Sequence, residues 1–302
     1  MGKLGFVWTL LVIPVAIVSL TTILFTSVRS KKNLNQLAQS LPNPSQGSQL
    51  PADLSSLNSI IDSQLNEDSS NAAGKPNPNL LGVTVGSNYT ALTFNLASTT
   101  VITDAAGDDD CTNNCPTKSL AQYVKDNGGK AGMNGTYFCP PDYSWCAGKV
   151  NSYDFPIWNN RKKKWMQASK LFWNGRGMMV FRPGSAKFFP NAAAIGAPSD
   201  ITGGIVNYPP LLAGGALVLD EGSLSDNLKV TKGTRSGIGY GDGKLFLVVV
   251  RRANMKDLAG IFISLRATDA LNLDGGGSVA LYENGRYKTG PGRSLPNAII
   301  IK

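Results

Sequence analysis

The stretch TRSGIGYGDGKLFLVVV, residues 234–250, has the pattern of an antiparallel β-hairpin. Its second half, residues 245–250, is an uninterrupted run of apolar residues that ends in three valines. Asp242-Gly243, which precedes that run, is one of the dipeptides that favour a two-residue turn between antiparallel strands. The stretch therefore predicts two neighbouring strands joined by a tight turn.

Similar short runs, bounded by Gly, Asn or Pro, predict further strands along the chain. They cover residues 89–96, 131–138, 170–173, 177–181, 270–273, 279–282 and 298–301, and Asn284-Gly285 predicts a second tight turn. Apolar residues at helical spacing occur at residues 120–124 and 258–265, the latter continuing to 267. We therefore expect an α+β domain over residues 80–302, with a mostly antiparallel sheet and a few packed helices.

A long apolar run precedes this domain. Residues 4–28 contain no charged side chain, and a helix of about 20 such residues spans a bilayer. A cleaved signal peptide is the alternative, but its apolar core would be only about 7–15 residues long and would end at a small-residue cleavage site. We expect residues 1–32 to be an uncleaved transmembrane anchor, preceding a flexible stalk over residues 33–79 that is rich in Ser, Asn, Gln and Pro.

The orientation of this anchor rests on two opposing signals. Arg29, Lys31 and Lys32 follow the apolar run, and the positive-inside rule would keep them in the cytoplasm. The four cysteines favour an oxidising compartment, and large domains translocate regardless of local charge. We expect a single-pass cell-membrane protein with its C-terminal domain extracytoplasmic.

The absence of histidine restricts the chemistry. Ser-His-Asp sites, Cys-His sites and most catalytic zinc sites need imidazole, so a chain without histidine must use carboxylates, amides, hydroxyls, Lys or Arg. The 29 Lys and Arg residues against 20 Asp and Glu favour an anionic or phosphorylated glycan as partner. Nucleic acid is not expected, because the chain carries no nucleic-acid motif. The basic run 161–165 predicts a solvated hairpin tip, with a polyanion contact as the alternative.

The cysteines form two close pairs in sequence, Cys111 with Cys115 and Cys139 with Cys146. Zinc is the competing interpretation, but neither spacing is the C-x₂-C of zinc knuckles. We expect two disulfides. Three connectivities are possible, and the local pair Cys139–Cys146 is favoured among them. Neither a metal nor a cofactor is expected, because the acidic run 108–110 is more typical of a solvated loop than of a Ca²⁺ site.

The most suggestive motif is Asn272-Leu273-Asp274-Gly275-Gly276-Gly277-Ser278, at the end of a predicted strand. Three glycines after a strand-end aspartate let backbone N–H groups approach a ligand closely and form an anion-binding nest. Asp274 would then stand beside the bound anion. The structural alternative is a tight turn in which Asp274 caps its own backbone.

Two further motifs carry polar groups suited to an anionic substrate. Arg235 lies in Thr234-Arg-Ser-Gly-Ile-Gly239, and its planar guanidinium suits phosphate geometry, although a surface salt bridge is the alternative. Asn134 lies in Asn134-Gly-Thr-Tyr-Phe138, where it could instead be a turn residue. Tyr137 of the same motif could be a core residue.

In this order the three motifs resemble those of the phosphodiester glycosidase family, which carries Asn-Gly-x-(Phe/Tyr)-Phe, Arg-(Thr/Ser)-x-x-Gly and Leu-Asp-Gly-Gly-Gly-Ser. The resemblance extends to the closing strand after Arg293 and covers residues 80–302. It implies a hydrolase that cleaves an N-acetylglucosamine-1-phosphodiester type of linkage, in a surface glycan or exopolysaccharide. The cysteine-bearing insert at residues 137–146 departs from the family pattern and bears on the sugar preference.

The clustering of these motifs and the absence of histidine suggest roles for individual residues. Asp274, Arg235 and Asn134 are expected to be catalytic, with Glu283 and Asp142 as reserve carboxylates. The residues expected to bind substrate are Tyr137, Asn272, Gly275, Gly276, Gly277, Ser278 and Arg293. A phosphomonoester leaves as a weak base, so one carboxylate could suffice as nucleophile or base. The alternative function is a non-catalytic module for glycan binding or exopolysaccharide assembly.

Overall fold

The computed structural model of the protein describes residues 78–302. The predicted anchor, and the predicted stalk up to residue 77, lie outside this part of the chain. Between residues 78 and 302, no helix has both the length and the apolar character needed to cross a bilayer.

Antiparallel β-structure dominates the described residues. The strands, numbered in chain order, are β1 (Leu80–Val85), β2 (Tyr89–Asn95), β3 (Val101–Ala105), β4 (Ala131–Asn134), β5 (Ile157–Asn159), β6 (Lys164–Met166), β7 (Gly177–Arg182), β8 (Ser185–Phe189), β9 (Gly203–Asn207), β10 (Pro210–Ala213), β11 (Ala216–Leu217), β12 (Gly233–Gly241), β13 (Lys244–Ala253), β14 (Asp269–Asn272), β15 (Leu281–Glu283), β16 (Arg286–Thr289) and β17 (Asn297–Ile301).

These strands form three sheets that share one apolar core. A seven-stranded sheet has the order β1-β2-β13-β12-β14-β10-β11, and two five-stranded sheets have the orders β16-β15-β4-β17-β3 and β6-β5-β9-β7-β8. Buried residues from all three sheets, including Leu247, Ile299 and Met179, belong to the same core cluster. Burial of such side chains is the main stabilising contribution to a fold of this kind.

The hairpin predicted at residues 234–250 is present. Strands β12 and β13 pair up to Gly241 and Lys244, and the two residues between them, Asp242 and Gly243, both have positive φ, as a tight hairpin turn requires. The same geometry occurs at Asn284-Gly285, between β15 and β16.

Helices cover the outer faces of two sheets. They are α1 (Leu120–Asp126), α2 (Asp226–Lys229) and α3 (Met255–Ser264). Helix α3 begins three residues earlier than the apolar spacing predicts, because Asn254 and Asp257 form a capping box at its start. Its Phe262 packs on the seven-stranded sheet, where a Cβ at Gly237 or Gly239 would come within 2.9 Å of the ring.

The α+β class predicted from the sequence is confirmed, and two strand predictions need correction. Residues 170–172 belong to a 3₁₀ turn, Ala168–Phe172, which follows Gln167 in the left-handed backbone region, and Trp173 caps the end of that turn. The strand predicted over residues 131–138 ends at Asn134, because the chain then turns so that Thr136 can bind Asn297.

Both disulfides are local. Cys111 is bonded to Cys115, and Cys139 to Cys146. The prediction of two disulfides is confirmed, including the Cys139–Cys146 pair.

The basic run 161–165 lies at the tip of the β5–β6 hairpin and is largely neutralised by the acidic run 108–110. Asp108 pairs with Arg161 at 3.0 Å and with Lys162 at 2.7 Å, and Asp109 pairs with Lys164 at 2.7 Å. The tip therefore has its own counter-charges and offers little net charge to a polyanion.

Candidate active site

The three glycine-containing motifs meet where β4 and β14 end and where β12 begins. In the seven-stranded sheet Gly237 pairs with Asn272, so the residues before Gly237 lie beside those after Asn272. The N–H of Asp274 donates to the carbonyl of Gly135 at 3.1 Å, which joins the third motif to the first. Residues that lie 140 positions apart in sequence, Asn134 and Asp274, are thus direct neighbours in one site.

Asn134 fixes the backbone that carries Asp274. Its Nδ2 donates to the carbonyl of Asp274 at 2.9 Å and to Oγ of Ser236 at 3.1 Å, while its Oδ1 accepts from the N–H of Ala280 at 3.2 Å. Ser236 Oγ donates to the same Asp274 carbonyl at 2.7 Å. Both side chains are fully buried. The bonds of Asn134 stay inside the protein, and this gives it a positioning role for Asp274.

We expect Asn134→Ala to lower the free energy of unfolding by about 2–4 kcal/mol, because it leaves several buried polar groups unpaired. Urea denaturation measures this change. Asn159→Ala is the matched control. It also removes a buried side-chain amide, one that donates to the backbone carbonyl of Gly107 and accepts from the backbone N–H of Lys162. Compared at equal folded fraction, the Asn134 variant should lose activity and the Asn159 variant should keep it. Equal retained activity would contradict the positioning role.

The Asp274 carboxyl is buried and has few hydrogen bonds to offset that burial. It accepts from the N–H of Gly275 at 2.8 Å and from the hydroxyl of Ser278. Burial raises its pKa from 3.8 to about 7, against the smaller opposing effects of these two bonds and of the Arg293 charge. A carboxyl that titrates near neutrality can exchange protons with a substrate at physiological pH.

Arg235 is a buried cation without a carboxylate partner in the described part of the chain. Its Nε donates to the carbonyl of Ala253 at 3.1 Å, and its Nη2 donates to the carbonyls of Thr231, at 2.9 Å, and Asn227. Burial lowers the pKa of the guanidinium, although arginine stays charged in proteins. A buried positive charge without a counter-charge lowers the stability of the folded protein unless an anion binds beside it.

The three glycines allow the loop to approach two arginines. A Cβ at Gly275 would lie 3.0 Å from the carbonyl of Thr234 and 3.5 Å from Nη1 of Arg235, and a Cβ at Gly277 would lie 2.9 Å from the guanidinium of Arg293. Gly276 has a φ of 62°, which disfavours other residues. A side chain at Gly277 would displace the Arg293 guanidinium, and one at Gly275 would crowd the carbonyl of Thr234 next to Arg235.

Arg293 links this loop to the disulfide-closed insert. Its Nη1 donates to Ser278 Oγ at 3.3 Å, and its Nε donates to Asp142 at 2.9 Å. The guanidinium also lies 5.0 Å from the ring centroid of Tyr143. Asp142 and Tyr143 both belong to the loop closed by Cys139–Cys146, so this insert borders the candidate site.

Tyr137 and Asn272 form a hydrogen-bonded pair near Asp274. Asn272 Nδ2 donates to the hydroxyl of Tyr137 at 2.7 Å and to the carbonyl of Tyr208 at 2.8 Å. Burial raises the pKa of Tyr137, and the charge of Asp274 raises it further. The Oδ1 of Asn272 is buried and has no hydrogen-bond partner among residues 78–302. It is an acceptor that a ligand hydroxyl could satisfy.

Several supporting residues were not singled out from the sequence. Ser236 lies inside the arginine motif, whereas Asn207 and Tyr208 belong to a segment without a recognisable signal. Asn207 donates through Nδ2 to the carbonyl of Asn272 at 2.8 Å. Of the two reserve carboxylates, Glu283 pairs with Lys288 at 3.3 Å and Asp142 pairs with Arg293.

The site combines a carboxyl that titrates near pH 7, a buried guanidinium and hydroxyl and amide groups. No cluster of three or more His, Cys, Asp or Glu suited to a metal ion occurs within residues 78–302. These groups can hold an anion and move a proton beside it.

The chain resembles known proteins in its fold and in its family motifs. No curated protein sequence matches the chain significantly. The catalytic domain of zebrafish N-acetylglucosamine-1-phosphodiester alpha-N-acetylglucosaminidase, auto-inhibited by its pro-peptide, aligns with a TM-score of 0.53 and 18% identity, over 76% of this chain and 86% of that chain. A hypothetical protein from Synechocystis aligns with a TM-score of 0.48 and 15% identity, over 72% of this chain and 60% of that chain.

The similarity to the zebrafish structure concerns the fold, whereas the family of this chain is shown by its sequence. The phosphodiester glycosidase family profile matches residues 127–302, a segment that contains Asn134, Arg235 and Asp274. That match covers more than half of the chain, and the chain therefore belongs to the phosphodiester glycosidase family.

Proposed function

We propose that this protein hydrolyses the bond between a sugar and the phosphate of a phosphodiester, in a surface glycan or exopolysaccharide. The observation that carries the proposal is the buried Arg235 guanidinium, which has no carboxylate partner in the described residues and lies against the loop of Asp274. A phosphodiester would supply the missing negative charge. An N-acetylglucosamine-1-phosphate type of linkage is proposed from family membership and from the substrate named for the zebrafish enzyme.

The leaving group determines how much catalytic help is needed. Cleaving an ordinary glycoside usually takes a second carboxyl that protonates the departing sugar oxygen. A phosphomonoester departs as a much weaker base, so electrostatic stabilisation can replace that proton. Arg235 stabilises the charge that develops on the phosphate oxygens, and the backbone of Gly276 and Gly277 flanks them.

Asp274 acts on the sugar side of the bond. Its ionised carboxylate takes a proton from a water molecule as that water attacks the anomeric carbon. The bond between the anomeric carbon and the bridging oxygen breaks, and its electron pair stays on that oxygen, which leaves with the phosphate. Asp274 then returns its proton to solvent, so that a free sugar and a phosphomonoester are released. Direct attack by the carboxylate, with a covalent intermediate, is the variant of this step that the same residue allows.

The sugar is bound by the polar groups of Asn272 and Tyr137, near Asp274. The free Oδ1 of Asn272 accepts a sugar hydroxyl, and the hydroxyl of Tyr137 binds beside it. Ser278 and Arg293 complete the site on the loop side.

We also propose that the reaction takes place outside the cytoplasm. Residues 4–28, which carry no charge, would anchor the protein in the cell membrane and present the domain outside the cytoplasm. External protease added to intact cells should then degrade the domain, and protection from that protease would contradict the export.

The pH dependence of hydrolysis tests the role of Asp274. With N-acetylglucosamine-α-1-(methyl phosphate) as substrate, kcat/KM should rise through a pKa of about 7 and then level off, because the carboxylate form is the active one. Release of free sugar between pH 5 and pH 9 measures this profile. Asp200→Asn, an exposed carboxyl-to-amide change, should leave it unaltered. A rate that falls through the same pKa would contradict the base role, and no hydrolysis would contradict the function.

A further inference from the structure

A cavity lies next to the candidate site, at Tyr208. We name it the Arg176 cavity; its volume is about 600 Å³, within the usual range for ligand sites. The residues that matter for its chemistry are Phe155, Arg176, Tyr208, Asp220 and Ser223. Its lining thus combines two aromatic rings, a cation, a carboxylate and a hydroxyl.

The Arg176 cavity comes close to the site of Asp274 at two residues that line it, Tyr208 and Phe155. The carbonyl of Tyr208 accepts from Asn272 Nδ2 at 2.8 Å, so Tyr208 borders both spaces. The ring of Phe155 lies 5.8 Å from that of Tyr137, measured between centroids. A substrate bound through Tyr137 and Asn272 can therefore extend past Phe155 and Tyr208 into the cavity.

Arg176 is held in the cavity by aromatic rings rather than by acids. Its guanidinium carbon lies 4.4 Å from the ring centroid of Trp173 and 5.2 Å from that of Phe155. Its Nε is buried and has no hydrogen-bond partner in the described part of the chain, which also offers no carboxylate within salt-bridge distance. The nearby Asp154 pairs with Lys170 instead.

This environment contrasts with that of other arginines in the structure. Arg161, Arg182 and Arg293 each pair with an aspartate. Arg176 instead donates from Nη1 to the carbonyl of Asn174 at 3.4 Å, while its Nε has no partner in the described residues. A planar guanidinium that is held against two rings and has donors left over suits the bidentate binding of phosphate.

We propose that the Arg176 cavity binds a second phosphate of the substrate, on the same glycan chain as the phosphodiester that is cleaved. This inference rests on the proposed function and narrows it to glycans that carry at least two phosphates. Asp220 and Ser223 offer hydrogen-bond partners for hydroxyls of the sugar between them, and Phe155 and Tyr208 offer apolar surface for its ring. The protein would thus select oligomeric sugar phosphates over an isolated sugar-1-phosphodiester.

Two synthetic substrates test the selection. One is N-acetylglucosamine-α-1-(methyl phosphate), and in the other the methyl group is replaced by a sugar that carries a phosphomonoester. The native protein should have a kcat/KM about 10- to 100-fold higher for the two-phosphate substrate, the range expected for a charged hydrogen bond. Arg176→Gln should abolish this preference while leaving the one-phosphate substrate unaffected.

Two control variants distinguish an effect of the Arg176 cavity from a general effect of lost positive charge and from misfolding. Arg182→Gln removes the same charge at an exposed position and should leave the preference intact. Arg176→Lys keeps the charge without the planar fork and should retain part of the preference, which remains measurable if the Gln variant does not fold. A native protein without the preference would overturn the proposal, as would an Arg176→Gln effect of equal size on both substrates.

A binding measurement distinguishes failure of this proposal from failure of the proposed function. If neither substrate is hydrolysed, the function fails, and the two-phosphate compound is titrated against the native protein while tryptophan fluorescence is followed, because Trp173 contacts Arg176. A dissociation constant that Arg176→Gln raises about 10- to 100-fold supports the cavity. An unchanged dissociation constant overturns it.

Discussion

We expect the substitution Asp274→Asn to lower kcat about 10²- to 10⁴-fold, the contribution typical of a positioned acid or base. Asparagine keeps one oxygen that can accept from Gly275, but it cannot take a proton from water. Steady-state hydrolysis of N-acetylglucosamine-α-1-(methyl phosphate) measures the loss. Because the amide fits the same space, KM should change much less than kcat.

The same substitution should stabilise the protein at high pH. The pKa of Asp274 is about 7 in the folded protein, against 3.8 for an unperturbed group, so the folded state retains a proton that the unfolded chain has released. The free energy of unfolding therefore falls as pH rises from about 4 to about 7, by up to about 4 kcal/mol. Asp274→Asn removes this loss, and its Tm should exceed that of the native protein at pH 8 but not at pH 4.

Glu283→Gln is the matched control for Asp274→Asn. Glu283 is also a buried carboxylate, but it pairs with Lys288 on the β15–β16 hairpin, and its variant should keep the native kcat. Equal rates for Asp274→Asn and the native protein would remove the catalytic assignment. If glycan binding persisted without turnover in either protein, the non-catalytic module would be the better description.

The second large effect is expected for Arg235→Lys. Lysine keeps the charge, but all its donors lie on one nitrogen, which cannot reach the carbonyls that Nε and Nη2 of Arg235 bind and a phosphate at the same time. We expect kcat/KM for the phosphodiester to fall about 10²- to 10³-fold, as when an electrostatic stabiliser of a transition state is lost. Steady-state kinetics measures this effect, with the product phosphomonoester as a competitive inhibitor.

Arg182→Lys is the control for this change, because it makes the same replacement on an exposed strand residue that pairs with Asp200. The Arg235 variant should also bind the product phosphomonoester more weakly, whereas the Arg182 variant should bind it normally. An Arg235→Lys protein with native kcat/KM and native inhibition would contradict the assignment of Arg235 to the phosphate.

Local sequence signals predicted the features that depend on neighbouring residues. Asp242-Gly243 and Asn284-Gly285 determine their turns through their own backbone conformation, and both hairpins are present. Each of the two disulfides also joins cysteines that are close in sequence, four residues apart in one and seven in the other. The glycine motif predicted a site because Gly275 and Gly277 permit close approach, and the structure places Arg235 and Arg293 against them.

Features that depend on distant residues could not be predicted in this way. The sequence predicts a catalytic role for Asn134, but its amide bonds lead to Ser236 and to the Asp274 backbone, 102 and 140 residues away. No sequence signal marks Arg176, since its contacts with Trp173 and Phe155 arise only from the folded loops. The strand predicted at residues 170–173 failed because its apolar residues belong to a 3₁₀ turn.

The central claim is that water attacks the sugar rather than the phosphorus. Hydrolysis of N-acetylglucosamine-α-1-(methyl phosphate) in ¹⁸O-labelled water, followed by mass spectrometry of both products, tests it directly. Our account predicts that the label enters the C1 hydroxyl of the released sugar and is absent from the phosphate. Label in the phosphate would contradict the account and identify the protein as a phosphodiesterase.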